Sequence, residues 1–345
     1  MVPIRRNNAV PDAIFAPGHF QGCSMLNHKE IYNGLKSKFL GGMVGSALGD
    51  AIGELAFRGL GEAGLRAAIA QRDALIYTDD TAMAIGLAES ITQVGRLDPQ
   101  HLGDTFRANF QQEPWRGYAS GPPTIFSLVE RRGMSYSEAA RSLFGGQGSF
   151  GNGAAMRIAP VGLFFHDVPD LYEQARASAS VTHAHPIGVD GAAVLAWAIA
   201  QAVKLDPGES FPLEPFSQGL IDFARTPEIR DKMMLVRSLI VKDVPPPDAA
   251  RRLGRSVAVH ESMPFAVYAF LRHPQSFEAC LFCAILHGGD RDTLGAMACA
   301  VSGAYLGVEA IPQAWREKLE NRQHVEDLAL TLVERRTQHE ESRAR

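Results

Sequence analysis

Thr78-Asp79-Asp80-Thr81 and, about 210 residues later, Asp290-Arg291-Asp292-Thr293 set paired carboxylates beside threonine hydroxyls twice in one chain. Neighbouring carboxylates repel each other unless a cation neutralises them. Brought together, four carboxylates and the Thr78 and Thr293 hydroxyls form an all-oxygen cage that suits Mg²⁺ or Mn²⁺. Each motif opens a stretch that reads as a helix, and one Asp or Thr suffices to cap a helix by accepting from a free first-turn N–H. Seven such residues in two clusters exceed that need. Two capped helices with solvated acids are the plainer alternative.

Three other segments carry donors and acceptors at suggestive spacing. Phe144 to Arg157 holds five glycines in fourteen residues, a loop whose backbone N–H groups can approach a phosphate without Cβ interference. It matches neither the P-loop nor the dinucleotide-binding pattern. Phe144 and Phe150 flank its glycines and could sandwich a base or a sugar face. In Arg116 to Thr124, Tyr118, Ser120 and Gly121 could line a diphosphate groove. Thr182-His183-Ala184-His185 places two imidazoles two residues apart, without the further ligands of a zinc site. His183 reads as a ligand hydrogen-bonder or as a satisfied structural histidine, and His287 beside Gly288-Gly289 has the same two readings.

These segments must be held by helices. Apolar spacing predicts them at about 81–95, 98–110, 136–144, 168–181, 189–205, 215–226, 229–241, 247–259, 263–271, 275–287, 293–307 and 323–336. A further helical stretch begins at His28. Period-2 alternation is scarce, so a compact all-α, multi-helix fold is expected. Gly145–Gly153 reads as a loop, and the tail after Gln338 as a frayed helix end. Gly41, Gly45, Gly49 and Gly53 recur every four residues, on one helical face. Glycine is a poor helix former, so this stripe implies close approach of another helix or of a ligand. Asp50, on the same element, is a candidate to support the acid cluster from behind.

Composition narrows the class. With 46% hydrophobic and 21% charged residues and a formal net charge of -4, the chain is an ordinary globular protein without the basic field that nucleic acid or an anionic membrane requires. The longest apolar runs read as about a dozen residues, too short to span a bilayer, and no secretory signal is recognisable. The four cysteines, including Cys280-x-x-Cys283, lack zinc or disulfide spacing and read as reduced core thiols. A cytoplasmic protein is expected.

Gly49-Asp-Ala-Ile-Gly53, Tyr77-Thr-Asp-Asp-Thr-Ala-Met83, Gly148-Ser-Phe-Gly-Asn-Gly-Ala-Ala-Met-Arg157, Thr182-His183 and Gly288-Gly-Asp-Arg-Asp-Thr293 together resemble the ADP-ribosylglycohydrolases. The resemblance covers about residues 36–335. It implies a single all-α domain, a dinuclear magnesium centre and hydrolysis of an ADP-ribose–protein bond at the anomeric carbon. Carried over by position, Thr78, Asp79, Asp80, Asp290, Asp292 and Thr293 are implied ligands of two Mg²⁺ ions, with Mn²⁺ the alternative. Gly148, Ser149, Phe150, Gly151, Asn152 and His183 are the implied ADP-ribose cradle, and Tyr118, Ser120 and Gly121 belong to an implied diphosphate loop. The chain departs from the pattern at Phe57, where many members carry a glutamate; the nearest acid is Glu54. Glu54, Asp79 and Asp80 are the candidates for proton chemistry. Arg291 stands where small residues are commoner.

The expected organisation is an N-terminal arm at 1–34, the hydrolase domain at 35–338 and a tail at 339–345. The arm carries Ile14, Phe15 and Phe20 among prolines. It suggests docking to a partner, such as an ADP-ribosyltransferase toxin that the protein would counter as an immunity factor. The expected substrate is an ADP-ribosylated protein, with no membrane or nucleic-acid partner. The rival to turnover is a protein that binds ADP-ribose, or the toxin through its arm, without hydrolysis.

Overall fold

The computed structural model describes residues 28–344, with side chains from 32 to 338. The expected arm lies outside the described residues as far as residue 27, and the first helix begins within its expected span.

Eighteen helices follow one another among the described residues: α1 His28–Ala56, α2 Glu62–Gln71, α3 Asp79–Val94, α4 Pro99–Gln112, α5 Gly121–Arg132, α6 Tyr136–Gly146, α7 Gly153–Met156, α8 Ala159–Phe164, α9 Leu171–Ser180 and α10 Pro186–Lys204, then α11 Leu213–Phe223, α12 Pro227–Val241, α13 Pro246–Leu253, α14 Val259–Arg272, α15 Phe277–Ile285, α16 Arg291–Leu306, α17 Gln313–Arg316 and α18 Arg322–Ala344. The fold is all-α, as expected. The described residues contain no strand beyond isolated bridges, Leu75 with Leu319 and Gly151 with Ala258.

The glycine stripe explains the centre of the molecule. Helices α1 and α16 run antiparallel in one register, and a Cβ on Gly41, Gly45, Gly49 or Gly53 would lie 2.2, 2.6, 2.1 or 2.4 Å from the carbonyl oxygen of Gly303, Cys299, Gly295 or Arg291. Only glycine permits backbones this close, and closeness maximises dispersion contacts along the pair. The predicted approach of a second helix is met, and the register carries Gly53 to the start of the second acid motif. Around this pair the core is continuous, with Leu48, Ile52, Tyr268, Tyr305 and Phe265 fully buried. Cys280, Cys283 and Cys299 are buried and free, as expected; Cys23 lies outside the described residues.

Three expectations need correction. Apolar runs of a dozen residues understate α10, whose 19 residues are long and apolar enough to cross a bilayer, yet most of it is buried inside the protein. The helix expected over 247–259 stops at Leu253, because Gly254 adopts φ 84° and frees 254–258 to run beside the glycine loop. Helices α2 and α5 are not among the expected ones, and α5 opens on Pro122-Pro123. Proline is tolerated in the first helical turn, where its missing N–H has no intrahelical partner.

Candidate active site

The acid motifs meet because two helix ends are brought to one place. Asp50, fully buried on α1, accepts from the backbone N–H groups of Thr78 and Thr81 and from both hydroxyls, at 2.6–3.2 Å. One carboxylate thereby caps α3 from a neighbouring helix and fixes where Asp79 and Asp80 begin. The α1–α16 register places Asp292 beside the same end of α1, its Cα 2.6 Å from the point a Gly53 Cβ would occupy.

Electrostatics report the convergence. Burial, then the charge of Asp292, raises the Asp80 carboxyl well above the usual carboxylate range. Burial, then Asp50, raises Asp79 to about 7, and burial with Asp290 raises Asp292 to about 8. Asp50 itself is pushed to about 6 by burial, against the pull of its four donors. The Arg157 guanidinium is the one cation that acts on Asp79 among these causes, and it is itself depressed to about 9 by burial. So many buried carboxylates with so little countercharge call for a cation.

The residues fit one. Asp80 Oδ2 is buried with no hydrogen-bond partner, which an oxygen-seeking cation would satisfy. The set Thr78, Asp79, Asp80, Asp290, Asp292 and Thr293 offers only hard oxygen donors. Among the described residues no three His, Cys, Asp or Glu side chains already form a ready-made cage. The acids act on one another's charge but stand open.

The glycine loop is tied to the second acid motif. Asn152 Nδ2 donates to Asp290 Oδ2 at 2.7 Å and to Ser262 Oγ at 3.2 Å. Asn152 N donates to Val257 O at 2.8 Å, and Val259 N to Phe150 O at 3.1 Å. The Asn152 side chain thereby ties the expected ligand cradle to the second acid motif. Gly148 N and Gly151 N are likewise used within the loop, by Leu143 O and Ser149 Oγ. The N–H groups of Ser149 and Phe150 have no partner among the described residues. Phe150 is 46% exposed and meets the rings of His185 and His260 edge-on or tilted.

His183 is poised by a relay. Arg157 Nη2 donates to Thr182 Oγ1 at 2.7 Å, and that hydroxyl lies 2.8 Å from His183 Nδ1. The Thr182 hydroxyl thereby holds the ring through Nδ1 and leaves Nε2 outside that contact. Burial, then Arg157, lowers His183 to about 3, which keeps the ring neutral. Its Nε2 faces Gly151 and Gly153, where Cβ atoms would come within 3.5 and 3.1 Å. The imidazole pair is not a metal site: His185 Nδ1 accepts from Ile187 N and caps α10. His287 lies apart, near Arg255 and Arg291, which with burial hold it below its usual range.

Segment 116–121 crosses over Asp79. Gly117, at φ 90°, passes so close that a Cβ would stand 3.8 Å from Asp79 Oδ1. Arg116 anchors the segment by donating to Tyr77 O, Glu113 and Glu320 while stacking 4.2 Å from the Tyr77 ring centroid. Tyr118 packs edge-on against Phe110, and burial with the Asp79 charge raises its phenol above its usual range. Ser120 is the exposed N-cap of α5 and Gly121 its first residue. Arg116, Arg157 and Thr182 are the positioning groups that motif reading passed over. Their burial, which the sequence does not carry, is what marks Arg116 and Arg157.

Glu54 stands near the acids. It lines a cleft of about 640 Å³ together with Thr78, Asp79 and Asp292, and its charge reaches Asp292. Phe57, one turn later, is half exposed at the same cleft.

Comparison with known proteins agrees with this geometry. A family model described as ADP-ribosylglycohydrolase matches residues 32–342. ADP-ribosylhydrolase ARH3 of Mus musculus is 32% identical over 337 residues, covering 86% of this chain and 91% of its own. The Homo sapiens protein of the same name is 32% identical over 75% of this chain and 79% of its own. A solved structure titled ADP-ribosylglycohydrolase-related protein complex superposes with a TM-score of 0.65 and 25% identity, covering 88% of this chain and 99% of that one.

Proposed function

The chain belongs to the ADP-ribosylglycohydrolase family, and on that premise we propose that it hydrolyses the bond between a modified protein and the anomeric carbon of the distal ribose of ADP-ribose. The observation that carries this reading is the meeting of both paired-acid motifs at one end of the α1–α16 pair, with the glycine loop bonded to Asp290.

Cleavage at an anomeric carbon develops oxocarbenium-like positive charge. The carboxylates of Asp79, Asp80, Asp290 and Asp292 supply a field of the sign that stabilises it. Thr78, Asp79, Asp80, Asp290, Asp292 and Thr293 would hold two divalent cations, Mg²⁺ in this proposal, which when bound supply Lewis-acid polarisation. The free N–H groups of Ser149 and Phe150 and His183 Nε2 would face the anionic diphosphate, and the exposed Phe150 ring offers a stacking surface. Tyr118, Ser120 and Gly121 would close the far side of that groove. Glu54 is the carboxyl group free to move a proton to the leaving group or from water, because Asp79 and Asp80 are engaged as ligands.

Glu54→Gln tests the assignment. Calorimetric affinity for ADP-ribose should stay within about threefold while turnover falls about 100-fold or more, the range general acid–base catalysis commands. Unchanged turnover would remove Glu54 from the chemistry. A second reading, ADP-ribose binding without hydrolysis, has Phe57 in its favour; measurable turnover by the wild type would end it.

A further inference from the structure

We propose that the cleft beside Glu54 is an acceptor groove for the polypeptide that carries the ADP-ribose, seating an apolar side chain on Phe57, Ile76 and Trp115 and an acidic neighbour on Arg58 and Arg72. This rests on the hydrolase reading and names the substrate side that reading leaves open.

Three of the large apolar side chains exposed on this protein line this one cleft: Phe57, Ile76 and Trp115, at 50, 49 and 71% exposure. Their convergence is not the scatter of single surface hydrophobics that every protein shows. Nor are they on slack chain. Leu75 N donates to Lys318 O at 2.7 Å and Glu320 N to Leu75 O at 3.0 Å, so the backbone presenting Ile76 is pinned. Trp115 precedes Arg116, whose guanidinium is saturated by Glu113, Glu320 and Tyr77 O. The ring of Trp115 stacks on no other ring among the described residues. Rigidly presented aromatics bind at low entropic cost.

The cleft is continuous with the acids, since Thr78, Asp79 and Asp292 form part of its lining. A group leaving the anomeric carbon there has this cleft as its exit. At about 640 Å³ it falls in the range, about 300–1,000 Å³, that accommodates a ligand larger than one side chain. Arg58 and Arg72 make no ion pair among the described residues, which favours an acidic flank. The chain's net charge of -4 supplies no basic field for a phosphodiester backbone.

The test compares ADP-ribose release from a modified protein with release from the same linkage on a single free amino acid. In Phe57→Ala/Trp115→Ala, kcat/KM for the protein should fall about tenfold more than for the single residue, the loss expected when anchoring aromatics are truncated. Arg58→Glu/Arg72→Glu should lower the same ratio through KM. An unchanged ratio in both variants, with both substrates turned over, would overturn the groove and leave the hydrolase reading standing. Release from neither substrate by the wild type would remove the hydrolase reading and the groove with it. Preferred turnover of a modified oligonucleotide, lost in the same variants, would reassign the cleft to nucleic acid and overturn the polypeptide assignment.

Discussion

Asp50 shows how one side chain can organise a site it need not touch. It satisfies the first-turn donors of α3 and both flanking threonine hydroxyls from a fully buried position. Asp50→Ala should lower unfolding free energy by about 2 kcal/mol or more, the sum of a lost cap and stranded buried donors, as read from urea midpoints. It should also reduce cation affinity, because Asp79 and Asp80 lose their reference point. A similar argument applies to Thr182→Val, which deprives His183 Nδ1 of its hydroxyl partner. ADP-ribose affinity should weaken about tenfold, the worth of one charge-assisted bond, while urea stability moves far less than in Asp50→Ala. At this scale the sequence was legible where like charges must meet: the fold brings Asp79, Asp80, Asp290 and Asp292 within reach of one another's charge. It was not legible where the partner is distant in sequence. Nothing in Gly151-Asn152-Gly153 foretells that the amide is taken up by Asp290, 138 positions away, nor that Arg157 orders His183 through Thr182.

Helices α1 and α16 make the site by their register. Gly49→Ala would drive a methyl group to 2.1 Å from Gly295 O, backbone that cannot step aside. A loss of about 2 kcal/mol or more is expected from such overpacking. Gly34→Ala, on the same helix with nothing within 4 Å of the added atom, should instead gain up to about 1 kcal/mol from helix propensity and chain entropy. Thermal melts of the two variants side by side distinguish a packing stripe from a mere glycine bias. The stripe was readable because period four is a helical signature. Helix α5 and the early end of α13 were not, because each turns on a local conformation, Pro in a first turn and Gly254 at positive φ, that composition averages away. The length of α10 was understated because Asp190 interrupts its apolar text; the structure buries that acid under Tyr172, Arg225 N and Thr226.

For the molecule as a whole, the acid cluster links stability to pH and to divalent ions. Asp50, Asp79 and Asp292 titrate near 6, 7 and 8 in the folded chain, above the ordinary carboxylate value of about 4. Groups whose folded pKa is raised contribute stability below the unfolded pKa and lose it as pH climbs through the folded one. In chelator, this linkage should therefore lower the melting temperature between pH 5 and 8, in scans of Tm against pH. Mg²⁺ should restore it, with a larger gain at pH 8 than at pH 6, because the ion competes with fewer protons. An equal gain at both values would mean that the ion binds elsewhere. Saturating ion at about 100 times its Kd would supply about 2.7 kcal/mol.

The most direct measurement is release of free ADP-ribose from arginine- and serine-modified proteins, with Mg²⁺ and with chelator, beside Asp79→Asn and Asp292→Asn. The account predicts release from at least one substrate, abolished by chelator and lost in both variants, since each removes one paired acid from the shared cluster. Release that persists in chelator, or that survives either substitution, would contradict a reaction centred where the two acid motifs meet.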